Sequence, residues 1–297
     1  MRDQRVARAM PVLAALGKSV CYLALFVGMQ VAIMLPESVY IGVLAALGGD
    51  VEELYDQLLA NTMTYTMISG LLTIAIVIAF YRFRRQPMAE ALWLRGVDGP
   101  TLLTGAALAP ALYLIVGGAL ALLPEAWLES YNEASAGIDS GTLTGVLAVA
   151  VVAPVVEELI FRGLMLNRLS RVMPGWLAVV LSSAAFGVCH GHPVWFAYAF
   201  VLGAFFALLD LRAQSILPSI LGHVAFNAIS QILSFVPEEG EGAAVVVLIL
   251  VAIAAPILNR RGVAALFRRK PRQAALPAPD WDLPTQPGTY DYDPWDE

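Results

Sequence analysis

The chain has 297 residues, of which 59% are hydrophobic and 14% charged, against about 25% charged in an ordinary soluble domain. That balance excludes a soluble enzyme, a secreted disulfide scaffold and a disordered protein, and leaves a polytopic membrane protein. The formal net charge of -6 sits wholly in the tail: six acids and no base follow Arg272, while the residues before it carry equal numbers of each.

In chain order, a basic start (Arg2, Arg5, Arg8, Lys18) precedes an apolar run with no small-x-small cleavage site, which reads as an uncleaved first span. Apolar runs of about 20 residues, the length that crosses a bilayer, predict helices near 18–35, 62–81, 101–123, 142–165, 175–191, 194–211, 215–235 and 243–259. The stretch 38–48 is too short to cross and is expected to lie at the interface or re-enter. The expected fold class is therefore all-α, a polytopic membrane protein of about eight transmembrane helices around an intramembrane polar site. We divide the chain into helices 1–3 (1–141), a core of helices 4–7 (142–235), a last span with a basic juxtamembrane segment (236–272) and an acidic Pro-rich tail (273–297). The tail is expected to be disordered, with Trp281, Tyr290, Tyr292 and Trp295 available to dock an unknown partner.

The loops separate by sign. Those after spans 1, 3, 5 and 7 hold twelve acids and no Lys or Arg, whereas the N-terminus and the other connections hold 17 of the 18 bases. By the positive-inside rule both termini are cytoplasmic, which needs an even number of spans. A bacterial inner membrane is the expected location. The lipid bilayer is thus one partner, and no nucleic acid is expected.

The base left over is Arg162, in span 4 beside Glu157 and Glu158. Charged and polar groups at membrane depth are costly and usually functional. Span 5 ends with His190, and span 7 carries His223 and Asn227; the chain has only three histidines. Glu158 and Arg162 are i,i+4 neighbours that can pair, whereas Glu157 is turned about 100° away and is expected to face a different neighbour. Asp210, beside Arg212, reads as a cytoplasmic helix-end acid, so no aspartyl dyad is expected. Ser182 and Ser183 read as packing residues, and Cys21 and Cys189 as small unbridged hydrophobes. No H-E-x-x-H and no G-x-S-x-G occurs. A carboxylate between two imidazoles can hold and deprotonate a water, directly or with a metal. A histidine and an asparagine one turn apart can stabilise an oxyanion.

Glu157-Glu158-x-x-x-Arg162, Phe186-x-x-x-His190 and His223-x-x-x-Asn227, in order and on separate spans, resemble the EExxxR, FxxxH and HxxxN motifs of the CPBP family of intramembrane proteases. That family includes the eukaryotic CAAX prenyl endopeptidase and bacterial members linked to bacteriocin immunity. The resemblance implies an endopeptidase acting near the C-terminus of a membrane-associated protein or peptide. It implies that Glu157 activates water, His190 holds it, His223 and Asn227 stabilise the oxyanion, and Glu158 and Arg162 support the site or meet a substrate carboxylate. Metal use stays open: either no cofactor, or zinc on Glu157, His190 and His223 with one open position. The alternatives are a non-catalytic scaffold or immunity protein of the same fold, and a proton-coupled transporter, for which the internal repeats are missing. On straight full-length spans Glu157 and His190 would lie at different depths, so breaks are expected at Pro154, Gly163 or Gly187.

Overall fold

The computed structural model describes residues 2–135 and 141–268, with side chains from Met10 onward; the tail 273–297, where disorder and partner docking are expected from the sequence, lies outside the described residues. Among the described residues every regular element is a helix. The long helices are α1 (Arg2–Ala46) and α2 (Val51–Phe83), followed by the single turn α3 (Met88–Ala91). Next come α4 (Gly99–Leu120), the polar α5 (Glu125–Ser135) and α6 (Leu143–Leu169). The chain then forms α7 (Gly175–Val188), α8 (Pro193–Ala213), α9 (Leu217–Ser234), α10 (Glu238–Leu258) and the short α11 (Arg260–Phe267).

A helix stands at each of the eight apolar runs. Six of them (α1, α2, α4, α6, α8 and α10) are long and apolar enough to cross a membrane, and the chain is a polytopic all-α membrane protein. The other two are α7, with 14 residues, and α9, with 18 residues diluted by His223, Asn227 and Gln231. The stretch 38–48 is corrected: it neither re-enters nor forms its own element, but prolongs α1 to Ala46. Nothing in it stops a helix before Gly48, whose φ of 93° is a left-handed turn that glycine adopts without strain. Asp50 then starts α2 by accepting from the N–H groups of Glu52 and Glu53 at 2.9 and 3.3 Å, a normal N-cap.

α6 and α8 form the middle of the bundle, 44% and 50% buried over their apolar windows, whereas α10 at the rim is 6% buried. α1 and α2 pack as a hairpin against α6, α7 pairs with α8, and α9 lies between α6, α8 and α4. Where α4 crosses α9 the backbones touch. A Cβ on Gly222 would lie 2.9 Å from the Gly105 Cα, and one on Gly105 would strike the Pro218 carbonyl. Small residues at such crossings let membrane helices approach closely. This one fixes the position of the residue that follows, His223.

The expected breaks are also corrected. α6 continues through Pro154 and Gly163, but is wound as π-helix over Ala148–Val152 and Glu158–Leu166. The wider turn ahead of Pro154 absorbs the missing N–H and the ring's clash with the preceding turn. Gly163 and Gly187 serve close contact: a Cβ would meet the Leu92 carbonyl or Phe196, each at 2.9 Å. The depth conflict disappears because α6 runs on to Leu169, four residues past the expected end of its span. Measured from the 170–174 connection, Glu157 is about 18 Å and His190 about 22 Å up their helices at 1.5 Å per residue.

Candidate active site

The site is built on α6, the end of α7 and α9. Glu158 and Arg162, both fully buried on adjacent turns of α6, approach to 3.2 Å (Glu158 Oε1 to Arg162 Nη1). The guanidinium also lies over the Phe186 ring, 4.4 Å from its centroid, a cation–π contact that is strongest where water is excluded. Gly203 on α8 makes room for it: a Cβ there would meet Arg162 Nη2 at 3.1 Å. Arg162 is therefore enclosed by protein on several sides and paired with Glu158.

Glu158 passes this order on to α9. Its Oε1 is 2.8 Å from His223 Nδ1, a charge-assisted contact in which the ring donates Nδ1–H. His223 Nε2 then faces Glu157 Oε2 at 3.7 Å. The ring is clamped by Phe206, stacked at 5.3 Å between centroids, and by the edge of Phe186 at 5.8 Å. The expectation that the two glutamates face different neighbours is thus corrected: both address one imidazole, on its two nitrogens. A ring whose nitrogens point apart can bridge residues that a helix turns away from each other.

His190 lies just past the end of α7, half-buried. Its Nδ1 is 2.8 Å from the Phe186 carbonyl, which can only accept, so Nδ1 carries the proton and Nε2 presents a lone pair. Phe186 is also its ring neighbour, at 4.7 Å, so one phenylalanine orders both histidines and the arginine. Glu157 is within electrostatic reach of both histidines. Its side chain is 16% exposed, whereas Glu158 is fully buried. Asn227 donates one amide hydrogen to the Val149 carbonyl at 2.8 Å, inside the first π-wound stretch of α6, and keeps its second donor free for another acceptor.

Two features escape sequence reasoning. Asp210 stands in the last turn of α8, as expected, but it is fully buried and accepts from Ser219 Oγ at 2.7 Å, within electrostatic reach of Glu158 and Arg162. Nothing in the pattern of α8 marks it. The other is a small cavity of about 30 Å³ against Glu157, walled by α1, α2 and α6, for which a periodic polar signal on α2 is present in the sequence. Ser182 and Ser183 are buried, and Cys21 and Cys189 are unbridged. Among the described residues no three His, Cys, Asp or Glu side chains are gathered closely enough to hold a metal ion. His223 Nδ1 and His190 Nδ1 are engaged with protein acceptors, which leaves Nε2 on each ring for other partners. As arranged, Glu157, His190 and His223 are not gathered as a zinc centre.

Comparison of the chain with the curated proteins and with the solved structures found no match. Residues 139–229 match the family described as Rce1-like, Type II CAAX prenyl endopeptidase, in agreement with the CPBP resemblance of the three motifs that fall inside that segment.

Proposed function

We propose that the protein is an intramembrane endopeptidase that hydrolyses a peptide bond near the C-terminus of a membrane-associated protein or peptide, using water activated by Glu157. One observation supports this reading above the rest: His223 is fixed on Nδ1 by a braced carboxylate, while its other nitrogen and the Glu157 carboxylate face each other at 3.7 Å. Glu158, Arg162 and Phe186 support that geometry without being spent in the reaction.

The chemistry follows from the donors. A water between Glu157 and His190 donates one proton toward the carboxylate and the other to the His190 Nε2 lone pair. Its oxygen bonds to the scissile carbonyl carbon as Glu157 takes the first proton. The carbonyl oxygen becomes an oxyanion that accepts from the free Asn227 amide hydrogen and, with the ring protonated on both nitrogens, from His223 Nε2–H. Collapse breaks the C–N bond, and the proton held by Glu157 passes to the leaving amine. The acidic and basic loops favour an orientation with both termini in the cytoplasm.

The test is cleavage of a farnesylated peptide ending in a CAAX sequence by the protein in liposomes, with products identified by mass. Wild type releases the C-terminal tripeptide; Glu157→Gln and His190→Ala do not. Cleavage persisting in both variants overturns the reading.

A further inference from the structure

Hydrolysis inside a membrane needs a supply of water, and the cavity against Glu157 offers a place for it. We propose that the polar seam between α1 and α2, which ends in this cavity, holds and delivers the water that Glu157 activates; the proposal rests on the hydrolytic reading above.

The cavity, about 30 Å³, exceeds the roughly 10–15 Å³ that one water needs. Its polar wall is Gln30 from α1, Thr66, Ser69 and Thr73 from α2, and Glu157 from α6. Ser69 and Thr73 are buried. The hydroxyl protons are committed along the helix: Thr66 Oγ1 donates to the Thr62 carbonyl at 3.0 Å, Ser69 Oγ to Thr66 at 3.1 Å and Thr73 Oγ1 to Ser69 at 2.8 Å. Each hydroxyl oxygen therefore turns only lone pairs to the cavity, and the Gln30 amide supplies the donor. A water here has several acceptors for its two protons, one of them the Glu157 carboxylate, and a donor for its oxygen.

The residues lie in register. Thr62, Thr66, Ser69 and Thr73 follow an i, i+4, i+7, i+11 spacing that keeps them on one face of α2. On α1, Glu37 is seven residues, two turns, from Gln30, and it accepts from Asn61 Nδ2 on α2 at 2.7 Å. The seam thus runs about 18 Å along α2 from Thr73 to Asn61, toward the acidic turn that joins the two helices. Polar side chains at such depth are tolerated where they line a water-filled space. Packing alone would be served better by apolar residues at the same positions.

The decisive experiment measures kcat and KM for the farnesylated CAAX peptide with the liposome-reconstituted protein and its Gln30→Leu, Thr73→Val, Thr73→Ser and Glu157→Gln variants. Removing the hydroxyl or the amide lowers kcat about tenfold at unchanged KM, while Thr73→Ser, which keeps the hydroxyl, stays within about twofold of wild type. Thr73 is buried, so Gln30→Leu at a half-buried position keeps the test independent of a folding defect. Values of kcat within about twofold of wild type in both Gln30→Leu and Thr73→Val, with Glu157→Gln inactive, overturn the seam and leave the hydrolytic reading standing. So does a loss that Thr73→Ser fails to rescue. Cleavage by Glu157→Gln, or none by wild type, sinks the hydrolytic reading and the seam with it.

Discussion

His223 stands between the two adjacent glutamates of α6, its Nδ1 2.8 Å from Glu158 Oε1 and its Nε2 3.7 Å from Glu157 Oε2. One contact is a hydrogen bond and the other is too long to be one, and that difference divides the labour. Glu158, fully buried and paired with Arg162, is part of the frame. Glu157, partly exposed at the edge of a cavity, is the carboxylate with room to take a proton. We predict that Glu157→Gln lowers kcat by about 10²–10⁴-fold, the usual contribution of a general base, with thermal unfolding close to wild type. Equal loss of stability in Glu157→Gln and Glu158→Gln would contradict this division.

The frame itself is open to test at Arg162. Truncation to Ala leaves Glu158 buried without its cation, and such uncompensated charges cost about 3–5 kcal/mol. The guanidinium also covers Phe186, which touches both histidines, so the damage spreads. Arg162→Ala is predicted to lower the unfolding temperature clearly and to abolish cleavage. Arg162→Lys keeps a charge but loses the planar contact with Phe186, and is predicted to recover stability more than activity.

Asn227 offers a finer measurement. One of its amide hydrogens is tied to the Val149 carbonyl, which aims the other. Loss of a single oxyanion donor typically costs 10²–10³-fold in kcat, and Asn227→Ala is predicted to fall by about that much with little change in KM. Asn227→Asp removes both donors while keeping the shape, and is predicted to be no better. A variant near wild-type kcat in either case would assign Asn227 to packing α9 on α6.

Ser219 tests the buried acid that lies below the site. Its hydroxyl donates to Asp210 Oδ2, and Asp210 Oδ1 has no hydrogen-bond partner among the described residues. Ser219→Ala removes that side-chain donor from a buried carboxyl whose Oδ1 is already without a partner, which costs about 1–3 kcal/mol. The expected reading is a lower unfolding temperature, with part of the loss recovered in Ser219→Ala/Asp210→Leu, where the polar group is removed altogether.

The helices were legible in the sequence because apolar runs of membrane length admit only one hydrogen-bonded solution. The grouping of Glu157, Glu158, Arg162, His190, His223 and Asn227 was legible because charge at that depth is costly and seldom kept without a function. The relative height of Glu157 and His190 was not, since α6 runs on to Leu169, four residues beyond its expected end, and hydropathy does not fix where a helix stops. Nor was the sharing of His223 by both glutamates, because the π-wound turns of α6 depart from the 3.6-residue period on which spacing arguments rest. The burial of Asp210 was hidden as well: its neighbour in sequence is Arg212, but it is bonded by Ser219, nine residues away on the next helix.

The crossing of α4 and α9 supplies a prediction whose sign differs between two glycines of one helix. A Cβ on Gly105 would strike the Pro218 carbonyl and lie 3.0 Å from the Gly222 Cα, both backbone atoms that cannot move aside, whereas one on Gly117 would meet nothing within 4 Å. Gly105→Ala must push α9 outward, and His223 travels with it. A displacement near 1 Å at a reacting group can cost about 10²-fold in rate, so kcat is predicted to fall by about that factor together with the unfolding temperature. Gly117→Ala, in the same helix and clear of neighbours, removes a flexible residue and is predicted to be neutral or to stabilise by up to about 1 kcal/mol. Thermal unfolding and cleavage of the two variants side by side decide it: if Gly105→Ala behaves like Gly117→Ala, the close crossing does not set the position of His223.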